Sequence, residues 1–139
     1  MSALYLLDTN MVIYIQRGVP NVLARLNELG ADRVALSSIV VAELAYGVEK
    51  SAHKERNRKV LELFLSEVRV LPWTQDAMWH YARHNHALRT SGNVIGEMDL
   101  LIGCHALALD AVCVTHNTRE FERIEGLRLE NWVNPVSAP

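Results

Sequence analysis

Three acids in this chain stand almost alone among apolar residues. Asp8 is the only charged side chain from Met1 to Gln16, Glu43 the only one from Leu36 to Val48, and Asp99 the only formal charge from Met98 to Leu109. Solvated acids normally keep polar company, so a carboxylate in an apolar stretch needs something to offset its burial. On a helix, Glu43 has Ile39, Val40, Tyr46 and Gly47 as neighbours three and four residues away, a face expected in the core. Each acid also has a plainer reading. Asp8 and Asp99 could each cap a helix, and Glu43 could belong to a buried ion pair with a distant arginine.

Brought together, the three acids would form a site. Two carboxylates about 4 Å apart repel by about 4 kcal/mol at an effective dielectric near 20, and a third raises the cost. Protonation or a divalent cation relieves it. An oxygen-only cluster without paired His or Cys suits Mg²⁺, or Mn²⁺, rather than Zn²⁺. Such an ion, held by a few carboxylates and several waters, is suited to phosphate-ester chemistry. A fourth corner follows Ala111-Val-Cys-Val-Thr115. There Asn117 could lend a carbonyl oxygen, Glu120 a carboxylate, and Thr115 a hydroxyl that steadies a neighbour. The plainer reading is a polar loop anchored by Phe121.

The elements that must position these residues can be read from hydrophobic spacing. Strands are expected at Leu4–Leu7, Val34–Leu36, Val68–Leu71 and Ala111–Thr115, with an edge strand at Leu127–Leu129. Helices are expected from Asp8–Met11 onward, then at Pro20–Leu29, Ser38–Glu49, Lys54–Glu67, Thr74–Thr90 and Asp99–Leu109. Pro20 favours a helix start and Gly30 a helix stop; Ser37 or Ser38 is the expected N-cap of the third helix. Strands alternating with helices imply right-handed crossovers and a parallel sheet covered on both faces. In such folds sites form beyond the carboxyl ends of the strands. Asp8 and Thr115 would lie there, with Asp99 opening a helix at the same end and Glu43 one turn inside another.

The 139 residues are 50% hydrophobic and 22% charged, enough for one domain with its own core and against a disordered chain. That domain is expected over residues 1–133, with a flexible tail over 134–139. No apolar run reaches the ~20 residues a membrane span needs, and the start lacks the pattern of a signal peptide. Cys104 and Cys113 lie in apolar segments and read as buried thiols, so a cytoplasmic setting is expected. The net charge of −2 disfavours a general DNA-coating role. Basic residues do cluster locally, at Lys50, Lys54, Arg56, Arg58 and Lys59, and at Arg83, His84, His86 and Arg89; solvated helix faces explain either group by itself.

Four blocks, in order, resemble the PIN-domain family and within it the VapC toxins. They are Leu7-Asp8-Thr9-Asn10; Ser37 to Gly47 around Glu43; Val94 to Gly103 around Asp99; and Thr115-His116-Asn117-Thr118-Arg119-Glu120-Phe121. The key acids at 8, 43, 99 and 120 lie 35, 56 and 21 residues apart. The resemblance implies an α/β, Rossmann-like three-layer fold with a mainly parallel sheet of four or five strands. It also implies the toxin of a type II toxin–antitoxin pair: a Mg²⁺-dependent endoribonuclease that cuts structured RNA, such as tRNA or ribosomal RNA loops. A VapB-type antitoxin that blocks the active-site groove, homodimerisation and larger toxin–antitoxin assemblies follow from the same resemblance. Carried over by position, Asp8 and Asp99 are the core metal ligands, Glu43 a ligand or water-positioning acid, and Glu120 the fourth acid. Asn117 stands where many relatives have Asp. Thr9, Asn10 and Thr115 are supporting residues, and Arg119, Arg89 and Lys50 are candidates for RNA contact. Glu97 is an extra acid nearby.

Other functions fit less well. A phosphatase of the haloacid-dehalogenase type needs a second Asp where Asn10 stands. A signalling receiver needs an acid after the third strand, where Pro72-Trp73 follows. The serious rival is a catalytically inactive PIN scaffold that binds RNA or protein. His105 reads as a packed or rim histidine. His80, His84 and His86 lack a second ligand cluster, and Trp73, Trp79 and Trp132 read as core or interface residues.

Overall fold

The computed structural model describes residues 3–134; the tail expected over 134–139 lies outside them apart from Asn134. Among the described residues, five short strands form one parallel sheet: β1 (Tyr5–Leu7), β2 (Val34–Ser37), β3 (Arg69–Leu71), β4 (Val112–Val114) and β5 (Leu129–Glu130). Tyr5, Leu6 and Leu7 are all buried although neighbouring side chains of a strand point to opposite faces. The same holds for β2 and β4, so the centre of the sheet is covered on both sides, giving the three layers expected.

The strand order is β3-β2-β1-β4-β5. The chain steps outward from β1 to β3, then returns to the other side of β1 with β4. That reversal between β1 and β4 opens a crevice at their carboxyl ends, the usual place for a site in a doubly wound sheet. Register puts Leu7 level with Leu36 and with Val114. Asp8, Ser37 and Thr115, the next residues of the three strands, therefore share one rim.

The helices are α1 (Thr9–Gln16), α2 (Pro20–Leu29), α3 (Ser38–Glu49), α4 (Lys54–Leu65), α5 (Gln75–Ser91), α6 (Glu97–Ala108) and the short α7 (Thr118–Phe121), with a 3₁₀ turn at Ala31–Arg33. Ser37 caps α3, its Oγ accepting from the Ile39 N–H at 3.1 Å. Two expectations change. α6 begins at Glu97, because extended Gly96 already offers its carbonyl to the Leu100 N–H at 2.9 Å. Asp99 is thus the third residue of the helix and not its cap. The segment after β4 is also not a plain loop: Asn117 starts the one-turn α7, and Phe121 is fully buried.

Gly103 sets how closely α6 approaches the segment after β4. A Cβ there would lie 2.5 Å from the Ile124 Cδ1 and 3.5 Å from the Phe121 Cδ1. A side chain at position 103 would force the Ile124 side chain to shift. Gly103 is one turn beyond Asp99, and Phe121 adjoins Glu120, so this contact governs the spacing of two acids. Both cysteines are buried free thiols, as expected.

Candidate metal centre

Asp8 sits at the centre of the rim and is 4% exposed. It does cap α1: Oδ1 accepts from the Met11 N–H at 2.8 Å. Its other oxygen accepts from the Thr115 hydroxyl at 2.6 Å, and its N–H donates to the Val114 carbonyl at 2.9 Å. The cap and the site are one arrangement, in which β1 delivers the carboxylate and two hydrogen bonds fix its orientation. Burial pushes its pKa up, and the charge of Glu43 adds to that; Thr115, the Met11 N–H and the charge of His116 pull the other way.

Glu43 is half-buried on α3 and accepts from the Thr9 hydroxyl at 2.5 Å. Of the helix face expected in the core, Val40 is buried and Ile39 packs against the core, while Tyr46 and Gly47 line an open groove of about 800 Å³. Tyr46, one turn along, is 66% exposed. Val40 and Leu44 carry the packing of α3.

Asp99 is half-buried at the start of α6. Its pKa is pushed up to about 7, first by burial, then by a hydrogen bond shared with Glu120 and by the charges of Glu120, Asp8 and Glu43. The four acids therefore sense one another although they come from four parts of the chain. Asn117 lies between two of them. Its side-chain Nδ2 donates to Glu120 Oε2 at 3.0 Å and faces Asp99 Oδ2 at 3.4 Å, while its backbone N–H donates to Thr115 Oγ1 at 2.9 Å. The expected contribution of Asn117 was its carbonyl oxygen; here it presents its nitrogen instead.

Among the described residues, none of Asp8, Glu43, Asp99 and Glu120 takes part in an ion pair. Among the described residues, Glu43 has no arginine partner of the kind a structural ion pair would need. Also among the described residues, no three His, Cys, Asp or Glu side chains converge tightly enough to make a ready metal cage. Mg²⁺ does not need one, since it keeps several waters and uses one or two carboxylates directly. An oxygen-only set of uncompensated acids, two with raised pKa values, fits a hard divalent cation.

The remaining candidates divide. Thr9 and Thr115 each hold an acid. Asn10 is exposed and, among the described residues, makes no side-chain hydrogen bond. Lys50 lines the groove beside Glu43, and Arg119 is exposed on α7 next to Glu120. Arg89 is engaged within α5, where its Nε donates to Asn85 Oδ1 at 3.0 Å. Glu97 takes a hydrogen bond from the Tyr81 hydroxyl, which anchors the start of α6 to α5. Sequence reasoning overlooked this Tyr81 contact, the exposure of Tyr46 and the close approach at Gly103. A tyrosine three residues after Glu43, on the same helix face, was the one available signal.

The family model for the PIN domain matches residues 5–127. A Haemophilus influenzae protein named ribonuclease VapC2 is 44% identical over 130 residues, 93% of this chain and 98% of its own length. A Salmonella typhimurium protein named tRNA(fMet)-specific endonuclease VapC is 39% identical over 128 residues, 92% of this chain and 97% of its own. The fold also matches the crystal structure of Rickettsia felis VapBC2 bound to a promoter DNA fragment. The TM-score is 0.86 and the identity 41%, over 93% of this chain and 98% of that one. Fold, length and sequence agree: the chain belongs to the PIN-domain family, among its VapC ribonucleases.

Proposed function

We propose that this protein is the toxin of a type II toxin–antitoxin pair, a Mg²⁺-dependent endoribonuclease that hydrolyses structured RNA at single-stranded loops. The observation that carries the reading is the gathering of Asp8, Glu43, Asp99 and Glu120 at the β1–β4 crevice, none of them in an ion pair among the described residues. Asp8 and Asp99 would hold the cation, or Mn²⁺ in its place. When bound, Mg²⁺ supplies charge neutralisation at the phosphate and makes water acidic enough to serve as a nucleophile. Glu43, steadied by Thr9, orients the attacking water and takes its proton; Glu120 is the second acid available for that work. In-line attack on the phosphorus leaves a 5′-phosphate and a 3′-hydroxyl. The 2′-hydroxyl has no part in this route, so preference for RNA must come from the surrounding surface. Lys50 and Arg119 are the candidates for phosphate contact nearest the acids.

The relatives bear on substrate and partner. One similar protein is named for tRNA(fMet), which makes tRNA a first substrate to test. Similar structures are VapBC complexes bound to DNA, which supports a VapB-type antitoxin, a homodimeric toxin and larger assemblies on promoter DNA. Work on cellular RNA belongs in the cytoplasm. Among the described residues no helix is long and apolar enough to cross a membrane.

The test is cleavage of total RNA and of purified tRNA by the antitoxin-free protein, with Mg²⁺ and then with EDTA. Cleavage that needs Mg²⁺ and disappears in Asp8→Asn and Asp99→Asn is expected. The loss should exceed the roughly 10–100-fold typical of an outer-shell change. RNA binding without cleavage under all conditions would point instead to an inactive scaffold.

A further inference from the structure

The groove beside Glu43 has a composition that the acid chemistry does not use. Its lining includes Thr9, Ile13, Arg17, Lys50, Val60 and Met98. Tyr46 projects from its wall, 66% exposed and one helical turn past Glu43. Lys50 Nζ lies 5.1 Å from the Tyr46 ring centroid. Among the described residues, neither Arg17 nor Lys50 makes an ion pair. The groove thus offers an exposed aromatic ring with Lys50 over one face, two cations outside any ion pair among the described residues and apolar contacts, next to acids suited to a phosphodiester.

We propose that Tyr46 is a stacking platform for a nucleobase beside the scissile phosphate, with Lys50 and Arg17 facing the adjoining phosphates. The occupant is single-stranded RNA, and the proposal rests on the ribonuclease reading above. A single strand has both features the groove requires, a π-face for the ring and repeated negative charge for the cations. One helical turn spans about 5–6 Å between side-chain origins, a separation that suits a phosphate at Glu43 and a neighbouring base at Tyr46. A wholly apolar peptide would leave the two cations unanswered. An acidic peptide with an aromatic side chain is the competing occupant.

The experiment uses the full chain carrying Asp8→Asn, so that RNA is bound and not cut. The probe is a single-stranded RNA oligonucleotide with 2-aminopurine at successive positions, in Mg²⁺. One position should be quenched on binding. Quenching should persist in Tyr46→Phe and Tyr46→Trp and vanish in Tyr46→Ala, with affinity falling roughly ten- to a hundredfold. Tyr46 is exposed and Ala favours helices, so the variant should fold; an unchanged Tm checks this. In the cutting protein, Tyr46→Ala should raise KM far more than it lowers kcat. Undiminished RNA binding and quenching in Tyr46→Ala would overturn the proposal. So would retained RNA binding combined with loss of the co-purified antitoxin, which would assign the ring to a protein partner. The fluorescence reads binding in a non-cutting variant, so it stands or falls separately from the cleavage assay.

Discussion

At the scale of single residues, the site is a balance between burial, repulsion and a few fixed hydrogen bonds. Asp99 shows it best, because its ordinary pKa of 3.8 rises to about 7 in the folded protein without metal. Between those values the native state holds a proton that the unfolded chain has released, so stability falls as pH rises through that window. Burial moves Asp8 in the same direction. Thermal unfolding in EDTA should therefore show a Tm that declines from about pH 4 to about pH 7, and Asp99→Asn should flatten that decline. A Tm that rises over this range, or an unchanged slope in Asp99→Asn, would contradict the assignment. Metal binding competes with the same proton, so Mg²⁺ affinity should increase with pH up to about 7. The hydroxyls that hold the acids matter at this scale too. Thr115→Val removes the 2.6 Å hydrogen bond to Asp8 while keeping the side chain's shape. It should weaken Mg²⁺ binding roughly 10–100-fold, as loss of an outer-shell partner does, measured by titration calorimetry.

At the scale of elements, the question is how helices from distant parts of the chain bring their acids to one rim. Two contacts carry much of this. Gly103 lets α6 pack on the segment that carries Glu120. Gly103→Ala should cost about 1–3 kcal/mol of stability, as overpacking does, and should lower cleavage beyond that loss because Asp99 moves away from Glu120. Near-wild-type kcat and Tm would show that the spacing is not critical. The second contact is buried: His105, on α6, lies 2.8 Å by its Nδ1 from the Oγ of Ser37, the cap of α3. Burial holds the imidazole toward its neutral form, which the nearby Pro72 carbonyl offsets only in part; Nε2 has no partner in hydrogen-bonding geometry. This pair ties the Asp99 helix to the start of the Glu43 helix. His105→Leu should lower kcat with little change in KM, and His105→Asn, which can still reach Ser37, should recover part of it. Equal activity of the two variants would reduce His105 to packing.

Much of this was legible in the sequence, for reasons that differ by residue. Asp8, Glu43 and Asp99 stood out because a charge in an apolar stretch needs compensation, and the structure does bring them into electrostatic contact. Pro20–Leu29 and Ser38–Glu49 match their expected bounds because Pro, Gly and Ser mark helix ends by local geometry. The start of α6 was missed because a glycine carbonyl, and not a capping side chain, begins it. The four residues of α7 are too few to show a helical period. Tyr46 was expected inside because spacing alone cannot distinguish a core face from the wall of a groove. Gly103 could not be read at all, since its importance lies in Ile124, which is distant in sequence.

At the scale of the whole molecule, the parallel sheet provides the frame and its reversal between β1 and β4 provides the opening. The central strands β1, β2 and β4 are buried, while the acids crowd the rim at a cost that a cation would remove. A ligand that binds only the native state stabilises it by mass action. Mg²⁺ should therefore raise the Tm of the whole domain, and Asp8→Asn should abolish the rise. The proposed function requires Asp8 and Asp99 to share one hard cation at this rim. It is tested most directly by anomalous diffraction from crystals soaked in Mn²⁺. A peak between these two carboxylates that disappears in Asp99→Asn is expected; a Mn²⁺ peak elsewhere, with none at the rim, would overturn the shared site.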